Sequence, residues 1–257
     1  MTLEKAALTA ATVLFLGAVV HAITALRRGA YRPSWTAMGL MAGGFLCQCV
    51  FLYLRGQELR RCPITTPMEL MTFTAWTMVM FYFVVGSGYR WSLLGAFTAP
   101  LAFAMQATAL LKPDSPVAPL TKPPGMWTEL HATLSLLAYG AYALAFVAGM
   151  MFLLQDRLLK KHANLSLMLR LPPVHHLTKA TRGLILTGTA LLTVGILSAY
   201  QMENRPSAFK LFVVWTVWGA YALLAIYEGW RAWGRRWWFP HATAWKFTPR
   251  PTAPRRW

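Results

Sequence analysis

Seven apolar stretches, each about twenty residues long, constrain this chain more than any other feature of its sequence. They run over about 6–26, 34–54, 66–88, 91–112, 128–155, 181–201 and 208–228. A bilayer core about 30 Å thick is crossed by roughly 20 apolar residues in a helix. Each stretch must be helical throughout, because an unpaired backbone group in hydrocarbon costs several kcal/mol. The sequence therefore predicts an all-α integral membrane protein, a bundle of about seven transmembrane helices. It predicts one polytopic domain over 1–236 and a basic, aromatic tail over 237–257.

Composition agrees with lipid as the solvent. Of the 257 residues, 56% are hydrophobic and only 13% are charged. One water-facing core of this size cannot bury that much apolar surface. The formal net charge of +17 would suit a nucleic-acid binder, but Lys and Arg cluster in short segments between the apolar runs, the pattern that sets membrane topology. With the N-terminus outside, the inner segments hold Arg27, Arg28, Arg32, Arg90, Arg157, Lys160, Lys161, Arg170, Lys179, Arg182 and every basic residue from Arg231 onward. That is 17 of the 25 Lys and Arg residues. The bias predicts an outer N-terminus, a cytoplasmic C-terminus and a prokaryotic plasma (inner) membrane.

The first apolar run is long and is followed by no small-residue cleavage site, so it reads as a retained helix rather than a signal peptide. Between helices five and six, Gln155 to Arg182 is basic, carries leucines and is broken by Pro172 and Pro173. It reads as a segment lying on the anionic inner leaflet. From Trp230 onward Trp and Arg are interleaved, a combination suited to the headgroup level.

Few residues are candidates for chemistry. The sequence lacks a nucleophile elbow, a Walker loop, an H-E-x-x-H motif and a pair of carboxylates within an apolar run, so no enzyme class is indicated. Cys47, Cys49 and Cys62 form no C-x-x-C pattern and read as packing residues. Histidine remains, whose imidazole ligates haem iron or a metal. His131 stands at the outer start of helix five with Ser135 and Tyr142 near its face, and a ring at membrane depth marks either a functional site or a water-satisfied interfacial residue. His21 falls toward the opposite end of helix one, too far away to share an iron with His131. His162, His175 and His176 sit in the basic inner segment, and the adjacent pair cannot share a helix face. His241 lies in the tail.

Three segments, in order, resemble the cytochrome c assembly family of membrane haem-handling proteins, in its HemX-like branch. The first runs from Arg61, Cys62 and Pro63 through Pro67 and Glu69 to Phe73 and Trp76. The second begins at His131 and ends in Leu154, Gln155, Asp156 and Arg157. The third is Leu184 to Ser198, with Leu192, Thr193 and Gly195, followed by Lys210, Trp215 and the stretch from Trp233 to Arg236. The resemblance implies a protein that presents haem at the outer face for attachment to apocytochrome c. It places His131 on the family's outer haem ligand. On that reading apolar residues of helices three to five would wall the pocket, with Trp76 and Trp127 as candidates to pack on the porphyrin plane. The sequence departs from the family at Met202 to Lys210, where the tryptophan-rich, aspartate-containing signature keeps only its lysine, and at Tyr227-Glu228, where haem-handling members have a histidine. Two functions follow: a haem-handling component of cytochrome c biogenesis, with another membrane subunit or a haem-delivery partner supplying a second ligand, or a non-catalytic scaffold of a respiratory or haem-synthesis complex that kept the fold and lost the cofactor. A small-solute transporter has little support, as no apolar run is broken by paired Gly and Pro at mid-depth.

Overall fold

The computed structural model describes residues 3–27, 35–87, 94–111, 125–160, 174–202 and 207–238. They form seven helices: α1 (Leu3–Arg27), α2 (Trp35–Leu59), α3 (Pro67–Ser87), α4 (Leu94–Leu111), α5 (Met126–Lys160), α6 (Val174–Ala199) and α7 (Ala208–Trp238). All seven contain a span long and apolar enough to cross a membrane, and no strand is present among the described residues. The chain is a multi-pass membrane protein. Its outward-facing side chains are large and apolar: Val13, Leu46, Val84, Phe146 and Leu223 are each more than half exposed. Such a surface is stable in lipid and would aggregate in water.

Local chemistry sets several helix ends. Thr66, Pro67 and Glu69 open α3 as a capping box. The Glu69 amide donates to Thr66 Oγ1 at 3.2 Å, and the Thr66 amide donates back to Glu69 Oε2 at 3.0 Å. Pro67 occupies the first helical position, where a missing N–H costs nothing. Past the end of α2, Arg60 adopts φ 50°, the left-handed cap that lets a helix stop. At the far end of α6 the amides of Tyr200, Gln201 and Met202 donate to the carbonyls of Leu197, Ser198 and Ala199, tightening the last turn so that orphan carbonyls are met. Ser207 accepts from the Leu211 amide at 3.1 Å at the start of α7.

Packing runs in the lateral order α2, α1, α4, α3, α5, α6, α7, with α5 on α6 the most extensive pairing. The main core joins α1 to α6 around Phe15, Met41, Met78, Val79, Leu144 and Met151. Small residues let the backbones approach closely, as they do in membrane bundles. A methyl group on Gly140 would sit 2.6 Å from Thr77 Cβ and 2.9 Å from the Met78 amide nitrogen. In the same bundle two fully buried amides meet, Gln48 Nε2 donating to Gln106 Oε1 at 2.7 Å. A second, smaller core holds α7 against α5 and α6 through Ala138, Tyr142, Leu192 and Ile196, with Val214, Trp218 and Tyr221.

The helices run past several of the expected limits. α5 continues to Lys160, α6 begins at Val174 and α7 extends to Trp238. Residues 161–173 of the basic segment, including His162, lie outside the described residues, as do 203–206 of the loop before α7 and 239–257 of the tail with His241. The side chains of His175, His176 and Lys210, and of the α7 residues from Arg231, also lie outside them.

Candidate haem site

One end of the bundle is stitched together by polar side chains. Arg55 of α2 donates to Glu69 of α3 and to Glu58, and lies 3.7 Å from Glu4 of α1. The Cys62 amide donates to Glu129 of α5 at 3.3 Å, and the Cys62 thiol meets Thr133 Oγ1 at 3.7 Å. Burial pushes the Cys62 thiol above the ordinary cysteine range. The Thr133 hydroxyl works against that shift, and the carboxylates of Glu129 and Glu69 reinforce it.

His131 stands at this same end, half a turn along α5 from Glu129, and turns the other way. Its ring packs on α6, with Nδ1 2.7 Å from the carbonyl oxygen of Gly195. It lines a cavity of about 340 Å³ whose other walls are Ile196 and Ala199 of α6 and Phe209, Leu211, Val213 and Val214 of α7. The volume falls in the range of cofactor clefts, roughly 300–1,000 Å³. Among the described residues lining it, the imidazole is the one polar group. Below the cavity an aromatic clasp holds α7 in place. Tyr142 stacks on Tyr221 with ring centroids 3.6 Å apart, Tyr142 donates to Thr189 Oγ1, and Trp218 donates from Nε1 to Thr193 Oγ1 at 2.8 Å.

The other sequence candidates fall in different places. Trp127 precedes His131 by one helical turn, so the two share a face of α5, and Trp127 is 42% exposed. Trp76 faces α2. Its ring stacks on Phe45 at 5.6 Å and 9°, and its Nε1–H points at Cys49 Sγ, 3.1 Å away. It does not line the cavity, whose apolar walls come from α6 and α7 rather than from helices three to five. His21 sits toward the opposite end of α1, where Nε2 meets Thr36 Oγ1 of α2 at 3.3 Å. Tyr142 is drawn into the clasp, and Ser135 Oγ is buried against α6 without a hydrogen-bond partner. No cluster of three or more His, Cys, Asp or Glu side chains that could hold a metal ion is found among the described residues. Sequence reasoning missed Phe209, Val213 and Val214, whose apolar character is that of any lipid-facing residue. Ile196 and Ala199 were missed for the same reason.

The Cytochrome C assembly protein family matches residues 65–244, most of the chain, including all of α3 to α7. The chain belongs to this family. Among curated relatives, Protein HemX of Brevibacillus brevis is 24% identical over 197 residues, covering 76% of this chain and 72% of the relative. Protein HemX of Bacillus subtilis (strain 168) is 26% identical over 185 residues, covering 69% and 64%. Cytochrome c biogenesis protein CcsA of Nostoc punctiforme is 26% identical over 133 residues, 49% of this chain and 37% of that one. No solved structure matches. The cytochrome c assembly match and the cavity coincide on α5, α6 and the start of α7.

Proposed function

We propose that this protein is a haem-handling component of cytochrome c biogenesis that holds haem at the outer face of a bacterial plasma membrane. The observation that carries the reading is a single imidazole, His131, lining an otherwise apolar cavity between α5, α6 and α7. A flat apolar macrocycle with a metal at its centre needs that combination: apolar walls for the ring and one nitrogen for the iron. When bound, haem would supply an iron that takes a nitrogen ligand and a group ready for transfer to an apocytochrome. His131 would ligate, Ile196, Val213 and Val214 would exclude water, and Phe209 with Trp127 would cover the ring. Trp76 is engaged on α2 and stands outside this arrangement. Family membership and the relatives named for cytochrome c biogenesis support the role. The excess of Lys and Arg at the opposite end supports the outer placement of the site.

One observation favours a second reading, a scaffold that kept the fold and lost the cofactor. No second imidazole lines the cavity among the described residues. On the first reading His131 would hold the iron, and another membrane subunit or a delivery partner would supply any further ligand.

A Soret-band titration of purified protein with haemin separates the two readings. Wild type and His21→Ala should bind, and His131→Ala should not. Equal spectra in all three, or no Soret shift in the wild type, would favour the scaffold.

A further inference from the structure

We propose that Gly195 is a positioning residue for His131: its carbonyl holds the hydrogen on Nδ1 and so reserves Nε2 for the ligand taken up in the cavity. The inference rests on the reading of His131 as an axial ligand and adds the element that sets which nitrogen ligates and at what angle.

A carbonyl oxygen can only accept a hydrogen bond, so the nitrogen 2.7 Å from Gly195 O must carry a hydrogen. Neutral imidazole has one N–H, which leaves the lone pair on Nε2, at the opposite edge of the ring. The tautomer with the hydrogen on Nε2 would set two lone pairs against each other at this distance. Gly195 lies one turn from the end of α6, where the aligned peptide dipoles leave negative charge on the carbonyls. That field favours an N–H facing it over a lone pair.

The carbonyl is itself held. Ser198 Oγ, buried, donates to the same oxygen at 2.7 Å. A small residue at position 195 keeps α6 close enough to α5 for that oxygen to reach the ring. A β-carbon at position 195 would sit 3.1 Å from Ser135 Oγ, 3.5 Å from the Ser135 amide nitrogen and 3.6 Å from the His131 carbonyl oxygen. The last two are ordinary contact distances, so a β-carbon alone would fit once the Ser135 hydroxyl shifts, but both atoms are backbone of α5 and leave no room beyond it. Any side chain longer than a methyl group would therefore push α6 off α5 and lengthen the bond to Nδ1. An N–H held by a carbonyl fixes the tautomer and ring angle and makes the other nitrogen a stronger donor to metal. Loss of such a partner typically costs about 10–100-fold in metal affinity.

The test combines the 15N spectrum of histidine-labelled protein with haemin titration, His131 being assigned by its absence in His131→Ala. At a pH high enough that only the neutral imidazole is present, the wild type without haemin should show a hydrogen on Nδ1 and a bare Nε2. Gly195→Val should mix the two tautomers and weaken haemin binding about 10–100-fold. Gly149→Val, where an added β-carbon meets nothing within 4 Å, should change neither. A hydrogen on Nε2 in the wild type would overturn the proposal, and so would a Gly195→Val protein with an unchanged His131 spectrum. Should Gly195→Val not fold, the wild-type spectrum decides alone. The expected tautomer in a protein that takes up no haemin would overturn the haem reading while upholding the bond to Gly195.

Discussion

Arg55 and Glu69 form a charge-assisted hydrogen bond, Nε to Oε1 at 2.8 Å, in which the carboxylate is fully buried and the guanidinium side chain only 15% exposed. Glu69 has two further duties: Oε2 accepts from the amides of Thr65 and Thr66 and from the Thr65 hydroxyl. One side chain thus caps α3 and ties α2 to it. Removing one partner of a buried pair leaves an uncompensated charge, which costs about 3–5 kcal/mol. Arg55→Ala should fall near the low end, because the threonine donors remain. Glu69→Ala should cost more, since the cap goes with it. The double variant should be less destabilised than the sum of the single ones. Unfolding in detergent micelles, followed by circular dichroism, measures all three.

A second expectation concerns Gly140, where α3 and α5 touch backbone to backbone. A β-carbon there would overlap Thr77 and crowd the Met78 amide nitrogen, and no side-chain rotation relieves the second contact. Gly140→Ala should destabilise by about 1–3 kcal/mol, the range for overpacking a filled core. Gly149→Ala, with open space around it, should be neutral or slightly stabilising, since alanine is the better helix former. Equal effects of the two substitutions in the same unfolding assay would contradict the close approach of α3 and α5.

The seven crossings were legible because lipid imposes one requirement on every span, and hydropathy reports it. The helix ends were less so. Hydropathy stops where the apolar run stops, whereas helical hydrogen bonding in α5, α6 and α7 continues through Lys160, Lys179 and Trp230. At the candidate site, His131 stood out in the sequence because an imidazole at membrane depth needs a reason. Its surroundings did not. Gly195 contributes a carbonyl, which every residue has, and Val213 resembles any residue that faces lipid. Trp76 illustrates the converse: the residue type suits a porphyrin wall, but its ring is taken by Phe45 and its N–H by Cys49.

Cys62 gives a pH-dependent prediction. Its thiol is raised above the ordinary range by burial first, with the carboxylates of Glu129 and Glu69 adding to the shift and the Thr133 hydroxyl opposing it. A raised thiol favours the neutral form in the folded state. Its contribution to stability is therefore present below the ordinary thiol pKa and lost as pH rises through the folded value. Only the thiolate reacts with alkylating reagents. In a Cys47→Ala/Cys49→Ala background, iodoacetamide labelling of Cys62 should stay slow at neutral pH and accelerate only in alkaline buffer. Thr133→Ala should slow it further and Glu129→Gln should speed it. A labelling rate already on its plateau at neutral pH would contradict the burial of the thiol.

The last prediction is topological. Seven crossings put residues 3 and 238 on opposite sides of the membrane. The bond from the Cys62 amide to Glu129 places the loop before α3 and the start of α5 at one end. That end carries fewer of the basic residues: Lys and Arg concentrate beside Arg27, Arg157, Lys160, Lys179, Arg182 and the segment from Arg231 onward. Short basic loops stay in the cytoplasm. Reporter fusions near Arg61 and Lys122 should therefore be active outside, and fusions near Lys161 or after Trp257 inside. Protease added to inverted vesicles should trim residues 237–257, where Pro240, Lys246, Arg250, Pro251, Pro254, Arg255 and Arg256 leave no apolar run long enough to cross. A reporter after Trp257 that is active outside would require an eighth crossing or an inverted bundle. An inverted bundle would set His131 on the cytoplasmic side, where haem could not be presented to an apocytochrome outside.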